Sequence, residues 1–274
     1  RVSGIWQSVS LQCRPQTRVV DATVTPDLST DVATVELDIQ TGPRAGDDVS
    51  VHVRAHAKGP DGTPADDPAA TARTDGASST AVVLDFEDPE YWWPDDPALY
   101  ELVVELRDDG AVLDRYTDHF GLRSFETDGD RFLFNGDPIT MRGVLEQGYY
   151  PDTLYRPSGP DTYETEVAVA KELGFNLIRK HIKPAHPEFL AVADREGMLV
   201  WEEPANPTLD TADSRAAVRE QLDAMVDRDY NHPSVVLWSI YNEEWGFGHA
   251  DTEETLWTDE TKQRYLADQY RRLR

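Results

Sequence analysis

Cysteine is almost missing from this chain. A single residue, Cys13, leaves no second thiol for an internal disulfide and no basis for a cysteine-built zinc site. Lysine is scarce as well: five of the 26 basic residues are Lys and the rest are Arg. Against them stand 52 acidic residues, for a net charge of −26. No basic stripe interrupts that acidity, which excludes the electrostatic footprint of a nucleic-acid binder. Apolar runs are short, none nearing the ~20 residues that span a bilayer, so no membrane partner is expected. The first residues lack the charged and apolar regions of a secretory signal. The chain opens on Arg1 and reads as an internal piece, and a cytoplasmic location is the expectation.

The acidity is not confined to a tail. Residues 1–124 and 125–274 each carry −13. Self-repulsion of this kind favours solubility and costs stability at low salt. Concentrated brine, with a Debye length of about 3 Å at 1 M, would screen it. Together with the scarcity of lysine, this makes a halophilic protein the favoured expectation.

From residue 15 to about 124 the apolar pattern has period two. Ala33, Val35, Leu37 and Ile39 share one face, and Val49, Val51 and Val53 alternate with polar neighbours. Short strands between Asp-, Gly-, Pro- and Thr-rich turns predict an antiparallel β-sandwich. Residues 59–79, nearly free of large apolar side chains, are expected to form one long exposed loop.

After Phe125 strands alternate with helices. Strands are expected over Ile139 to Val144, Phe175 to Ile182, Met198 to Trp201 and Val235 to Tyr241. Helices are expected from Asp161 to Leu173, Pro187 to Gly197, Ser214 to Tyr230, and Thr258 onward. Such alternation predicts a parallel sheet with right-handed crossovers. Four units make half of an eight-fold (β/α) barrel. Half a barrel leaves bare edges, so the missing second half is an expected partner, with self-association as another cover.

In such barrels the functional side chains gather at the C-terminal strand ends. Those ends supply Glu146, then Arg179, His181 and Lys183, then Glu202 and Glu203, then Asn242, Glu243 and Glu244. Carboxylates, an arginine, a histidine and flat aromatic rings on one rim suit sugar hydrolysis, where paired carboxylates do the acid–base work. With one histidine at a strand end, zinc hydrolysis fits less well and no metal is expected. Trp201 and Trp238 read as core, whereas Trp245 is a candidate sugar platform. Glu244 reads as solvated, and Glu203 as a supporting or surface group.

Several stretches resemble glycoside hydrolase family 2, which includes β-galactosidases, β-glucuronidases and β-mannosidases. Gly4-Ile5-Trp6 with Val9-Ser10-Leu11 looks like the last strand of the family's jelly roll. Trp93-Pro94-Asp95-Asp96-Pro97-Ala98-Leu99-Tyr100 and Phe120-Gly121-Leu122-Arg123 are similar to its immunoglobulin-like middle domain. Phe132-Leu133-Phe134-Asn135-Gly136, Gly174-Phe175-Asn176-Leu177-Ile178-Arg179, Asp194-Arg195-Glu196-Gly197 and His232-Pro233-Ser234 through Asn242-Glu243 resemble its barrel. The resemblance implies a jelly-roll remnant over 1–14, an immunoglobulin-like sandwich over 15–124, and the first half of a TIM barrel over 125–274.

It further implies a retaining β-glycosidase acting on a terminal β-linked sugar, without a cofactor. Glu243 would be the general acid/base, Asn242 a donor to the sugar 2-hydroxyl, and Arg179 the group that holds a nucleophilic glutamate lying outside this chain. A fragment without that nucleophile is expected to be inactive alone. His181, Glu146, Glu202 and Trp245 complete the expected substrate rim. Leu145-Glu146-Gln147-Gly148, Arg179-Lys180-His181 and Tyr241 depart from the family's common patterns, so no sugar specificity carries over. The alternatives are a carbohydrate-binding module without catalysis, or an inactive remnant of a split gene.

Overall fold

The computed structural model describes residues 4–43, 49–59, 61–75, 77–159, 161–207, 210–243 and 259–273. The sandwich comprises β1 (Arg18–Asp27), β2 (Val32–Gln40), β3 (Ser50–Ala57), β4 (Ala70–Asp75), β5 (Ser79–Asp85), the short β6 (Trp92–Trp93) and β7 (Asp96–Pro97), β8 (Tyr100–Asp108) and β9 (Ala111–Phe120). A sheet ordered β1-β2-β5 faces one ordered β4-β3-β8-β9, all pairings being antiparallel. The alternating residues Ala33, Val35, Leu37 and Ile39 are buried, as are Val49, Val51 and Val53, and both sheets contribute to one core. Period two in the sequence thus becomes one dry face per sheet.

Two expectations need correction. The stretch 59–79 is not one loop, because it contains β4, paired residue for residue with β3. At a sheet edge the backbone bonds and a small buried side chain, Ala70, suffice to hold a strand. Large apolar residues are not required there. The strand expected over Gly4 to Leu11 is not formed. A strand is defined by a hydrogen-bonded neighbour, and none of the described strands lies beside it.

A three-stranded meander follows, β10 (Phe125–Asp128), β11 (Arg131–Phe134) and β12 (Asp137–Ile139). Then come β13 (Gly143–Glu146), α1 (Thr162–Glu172), β14 (Leu177–Lys180), α2 (Pro187–Glu196), β15 (Leu199–Glu202), α3 (Ala212–Asp229), β16 (Val235–Trp238) and α4 (Glu260–Leu273). The four strands β13 to β16 are parallel and adjacent in chain order. This is an immunoglobulin-like sandwich followed by the opening half of a TIM barrel.

Local chemistry sets the helix ends. Pro187 starts α2, where its missing N–H costs nothing, and His186 caps Glu188 N–H at 3.3 Å. Gly197 ends it with φ +70. A side chain there would strike the Pro94 carbonyl at 2.1 Å, so glycine also permits the sandwich to approach. Thr211 and Ser214 form a reciprocal capping box on α3. No helix among the described residues is long and apolar enough to cross a membrane.

The parallel sheet sorts its side chains by alternation. Leu177, Leu199, Trp201 and Val236 point inward, onto Trp92 and Phe134 from the sandwich junction and meander. Ile178, Val200 and Val235 point outward, onto α1 and α2. The junction is held by polar groups as well. Asp194 on α2, fully buried, accepts from His119 Nε2 at 2.7 Å, from His232 Nδ1 at 2.5 Å and from the Ser234 N–H at 3.0 Å. Trp92 Nε1 donates to the Asp194 carbonyl at 2.8 Å.

Candidate active site

Residue parity decides what reaches the mouth of the sheet. On β14 the inward series continues from Leu177 to Arg179, and on β15 from Leu199 through Trp201 to Glu203. Arg179 Nε donates to Glu203 Oε1 at 2.5 Å, and its Nη2 contacts the same oxygen. The other carboxylate oxygen of Glu203 accepts the Ile182 N–H at 3.0 Å, and Ser239 Oγ lies 3.3 Å from Oε1. The guanidinium also lies over the Trp201 ring, 4.4 Å from its centroid, and Trp201 Nε1 donates to Ser239 at 2.7 Å. Glu203 is fully buried. A buried carboxylate is tolerated only when charge and hydrogen bonds compensate it, and here a guanidinium, an amide and a hydroxyl do so.

The same Nη2 of Arg179 also fixes the next residue. Nη2 donates to Asn242 Oδ1 at 2.6 Å. The Asn242 backbone N–H donates to Asn206 Oδ1 at 2.9 Å, and the Asn206 amide returns a bond to the Asn242 carbonyl. Asn242 is therefore held at three points. Its exposure is 3%, yet its Nδ2 has no partner among the described residues. A buried amide donor left without an acceptor is costly, about 1–3 kcal/mol, and a ligand oxygen would relieve that cost.

Beside it, Glu243 is exposed and adopts φ +53. Ile182, at the end of β14, adopts φ +52. Left-handed backbone at a β-branched residue costs of order 1–3 kcal/mol and collects at functional sites. Both strained positions flank the Arg179–Glu203–Asn242 group. His181 completes the rim: its Nδ1 accepts from Gln147 Nε2 at 2.8 Å, and its N–H donates to the Glu146 carbonyl at 2.9 Å.

Of the residues expected from the sequence, the structure joins Arg179 to Asn242, with Glu243 next in the chain, while the printed bonds of His181 run to Gln147 and Glu146. Glu146 and Glu202 face the other way. Glu146 contacts the buried Lys180 ammonium and accepts the Gly148 N–H, bracing the β13 end rather than facing inward. Glu202 lies in the helix layer, where its Oε1 accepts the Ala185 N–H at 3.0 Å. Burial, then the Asp229 carboxylate beside it, push the Glu202 carboxyl upward, opposed by Arg228. Trp245 and Glu244 lie outside the described residues. Trp201 is inward-facing core beneath the site, and Trp238 packs on the helix side. Glu203 is the member that the sequence reading undervalued. The signal was available in the alternation from Trp201, which puts Glu203 and not Glu202 on the inner face.

One donor cluster outside the rim has metal-ligand chemistry. Donor atoms of His119, Asp194 and His232 lie within 4.8 Å of one another. The 2.5 and 2.7 Å separations between carboxylate and rings are hydrogen-bond contacts, shorter than the roughly 3 Å between neighbouring ligands on a tetrahedral zinc. The cluster is built for shared protons.

An inward arginine, a buried carboxylate and a buried amide thus stand together where the parallel strands end. The model for glycosyl hydrolases family 2 matches residues 17–123, and the model for that family's TIM-barrel domain matches residues 125–264. The chain belongs to glycosyl hydrolases family 2. Among solved structures it is similar to a family 2 member from Bacteroides cellulosilyticus, at 25% identity and TM-score 0.71, covering 84% of this chain and 32% of that one. It is also similar to a β-glucuronidase from Ruminococcus gnavus, at 22% identity and TM-score 0.75, over 94% and 40% of the two chains. A third is Bacteroides uniformis β-glucuronidase 3, at 24% identity and TM-score 0.74, over 93% and 32%. The chain spans between about a third and two fifths of the length of these structures.

Proposed function

We propose that this chain supplies the acid/base side of a retaining β-glycosidase, with Glu243 as general acid/base and Asn242 as a sugar hydroxyl donor. The observation that carries the reading is the buried Asn242 amide, locked by Arg179 and Asn206, whose Nδ2 has no partner among the described residues and stands next to the exposed Glu243. Glu243 gives its proton to the glycosidic oxygen as the anomeric C–O bond breaks. A second carboxylate, from the part of the barrel beyond this chain, attacks the anomeric carbon. Glu243 then takes a proton from water as that water displaces the carboxylate, giving retention by double displacement. Arg179 orients the pocket through Asn242 and Glu203.

The test is Glu243→Gln in the enzyme with its complete barrel. General acid help is worth about 10²–10⁴-fold, so turnover of a glycoside with a poor leaving group should fall by that factor. An activated aryl glycoside needs no protonation in its first step and should suffer far less there. Azide, which needs no general base, should restore its turnover and yield a β-glycosyl azide. Unchanged activity on both substrates would remove Glu243 from the mechanism.

A further inference from the structure

The loop after β13 carries a cluster that the proposed chemistry does not use. Lys183 is 8% exposed, and its ammonium has no carboxylate partner among the described residues. It donates to the Gly148 carbonyl at 2.6 Å. Three rings surround the rest of it, with centroids 4.7 Å away for Tyr155, 5.3 Å for Trp6 and 5.6 Å for Tyr149. A buried ammonium is expensive. The electron-rich ring faces compensate it here, and the Glu166 carboxylate favours the charged form without pairing directly. Burial accordingly holds the ammonium down at about 8.

The rings also brace one another. Tyr149 and Tyr155 meet edge to face at 5.0 Å with their hydroxyls 3.2 Å apart, and Trp6 meets Tyr155 at 5.6 Å. The cluster draws on three separate segments: the stretch before β1, the loop after β13 and the loop entering α2. Yet Tyr149 itself is 51% exposed. An aromatic ring fixed on one side and open on the other is a preorganised stacking surface, since little freedom is lost when a ligand covers it.

Its place says what would cover it. Gln147, two residues earlier, donates to His181 on the rim of the candidate active site. In a glycosidase the sugar that is cleaved off occupies the pocket, and the leaving group extends over the rim. We propose that Tyr149, braced by Tyr155, Trp6 and Lys183, is the platform on which the aglycone ring of a β-glycoside stacks. The occupant is thus a pyranose or aryl ring in the leaving group, in place of a small alkyl aglycone. This inference rests on the β-glycosidase reading above.

The experiment measures binding, so that it survives failure of the catalytic assignment. Calorimetric affinities of the Glu243→Gln enzyme are compared for the methyl and the phenyl β-thioglycoside of the same sugar, whose C–S bond resists cleavage. Tyr149→Ala should weaken the phenyl thioglycoside about tenfold and leave the methyl thioglycoside nearly unchanged, the scale of one aromatic contact with its buried area. Tyr149→Phe should retain the preference. Lys183→Met, which frees the Gly148 carbonyl, should lose part of it. Equal weakening for both ligands, or no weakening for either, would overturn the platform. Should Tyr149→Ala lower the melting midpoint, Tyr149→Leu supplies the same comparison with an apolar but non-aromatic side chain. If Glu243→Gln proves fully active, the catalytic assignment falls while the binding comparison still decides this one.

Discussion

The two faces of β14 and β15 carry the same kinds of residue to opposite ends. Arg179 and Lys180 are neighbours in the chain, as are Glu203 and Glu202, yet each pair is split by the pleat. On the inner face Arg179 and Glu203 pair, reach Asn242 and stand beside the exposed Glu243. On the outer face Lys180 meets Glu146 and lies over the Phe189 ring at 4.0 Å, while Glu202 is sealed near Asp229 and Arg228. Each face thus carries a basic residue and a fully buried glutamate, Glu203 on one and Glu202 on the other. What differs is the surroundings: the inner cluster ends beside the exposed Glu243 at a donor without a partner among the described residues, whereas the outer one lies against the helices. Titratable residues alone therefore do not mark a site here; the candidate site differs in combining inward parity, a strained strand end and a buried donor without a partner among the described residues.

The largest expected effect tests that split directly. In the enzyme with its complete barrel, Arg179→Lys keeps the charge but loses the planar fork that holds Glu203 and Asn242 together. Its kcat/KM should fall about 10²–10³-fold, the scale of losing one preorganised donor in a site. Lys180→Met should leave kcat/KM nearly unchanged and act on the melting midpoint instead. Equal kinetic losses from the two neighbours would break the two-face reading.

How much of this was legible beforehand follows the same line. Most strands of the sandwich and the strand–helix units were readable because period two and period 3.6 are written in single side chains such as Val35, Leu37, Phe189 and Val200. The first barrel strand, expected over Ile139 to Val144, instead divides between β12 of the meander and β13. Arg179, Asn242 and Glu243 were singled out because strand ends and family motifs coincide on them, and the structure puts Arg179 in contact with Asn242. β4 was not readable, since an edge strand rests on backbone pairing with β3 and a few small side chains. Glu146 and Glu202 were assigned to the pocket from their place at strand ends, which ignores which way the pleat turns each residue. The His119–Asp194–His232 cluster could not be found by spacing at all. Its members come from β9, α2 and the loop before β16, and only the docking of sandwich on barrel unites them.

That cluster extends the comparison to a third place, where burial of charge serves docking alone. Burial by itself would raise Asp194, but the His232 charge and the bonds from both imidazoles hold it well below the usual carboxylate range. Burial would lower His232, but Asp194, with Asp229 and Asp118 beyond, carries it up to about 9. The raised His232 contributes stability that is fully present below its unfolded value of about 6.5 and is lost as pH rises through about 9. The depressed Asp194 contributes stability present above its unfolded value of about 3.9 and lost as pH falls. Asp194→Asn should cost about 3–5 kcal/mol near pH 6, the toll of breaking a buried charge pair. Urea midpoints of the wild-type chain should decline from pH 6.5 to 9.5, and those of Asp194→Asn should decline much less. Parallel pH profiles would show that the triad does not hold the junction.

The smallest effect belongs to the sealed face. Glu202 is buried, its Oε2 has no hydrogen-bond partner among the described residues, and the Asp229 carboxylate lies near. Both conditions favour the protonated acid, so its folded pKa lies above the unfolded one. A carboxyl shifted in that direction stabilises the fold most when protonated in both states. The contribution fades as pH climbs from about 4.3 through the folded value. Glu202→Gln keeps the acceptor for the Ala185 N–H and removes the charge that high pH forces into the helix layer. The variant should match the wild type near pH 5 and exceed it by about 1 kcal/mol at pH 9, an increment typical of a single relieved defect. Its kcat/KM in the complete enzyme should be unchanged, whereas Glu203→Gln, one residue on, should lose activity with Arg179. A Glu202→Gln chain that is less stable at every pH would mean that the carboxylate is ionised and paired in the fold. The outer face would then hold a second working charge network instead of a sealed acid.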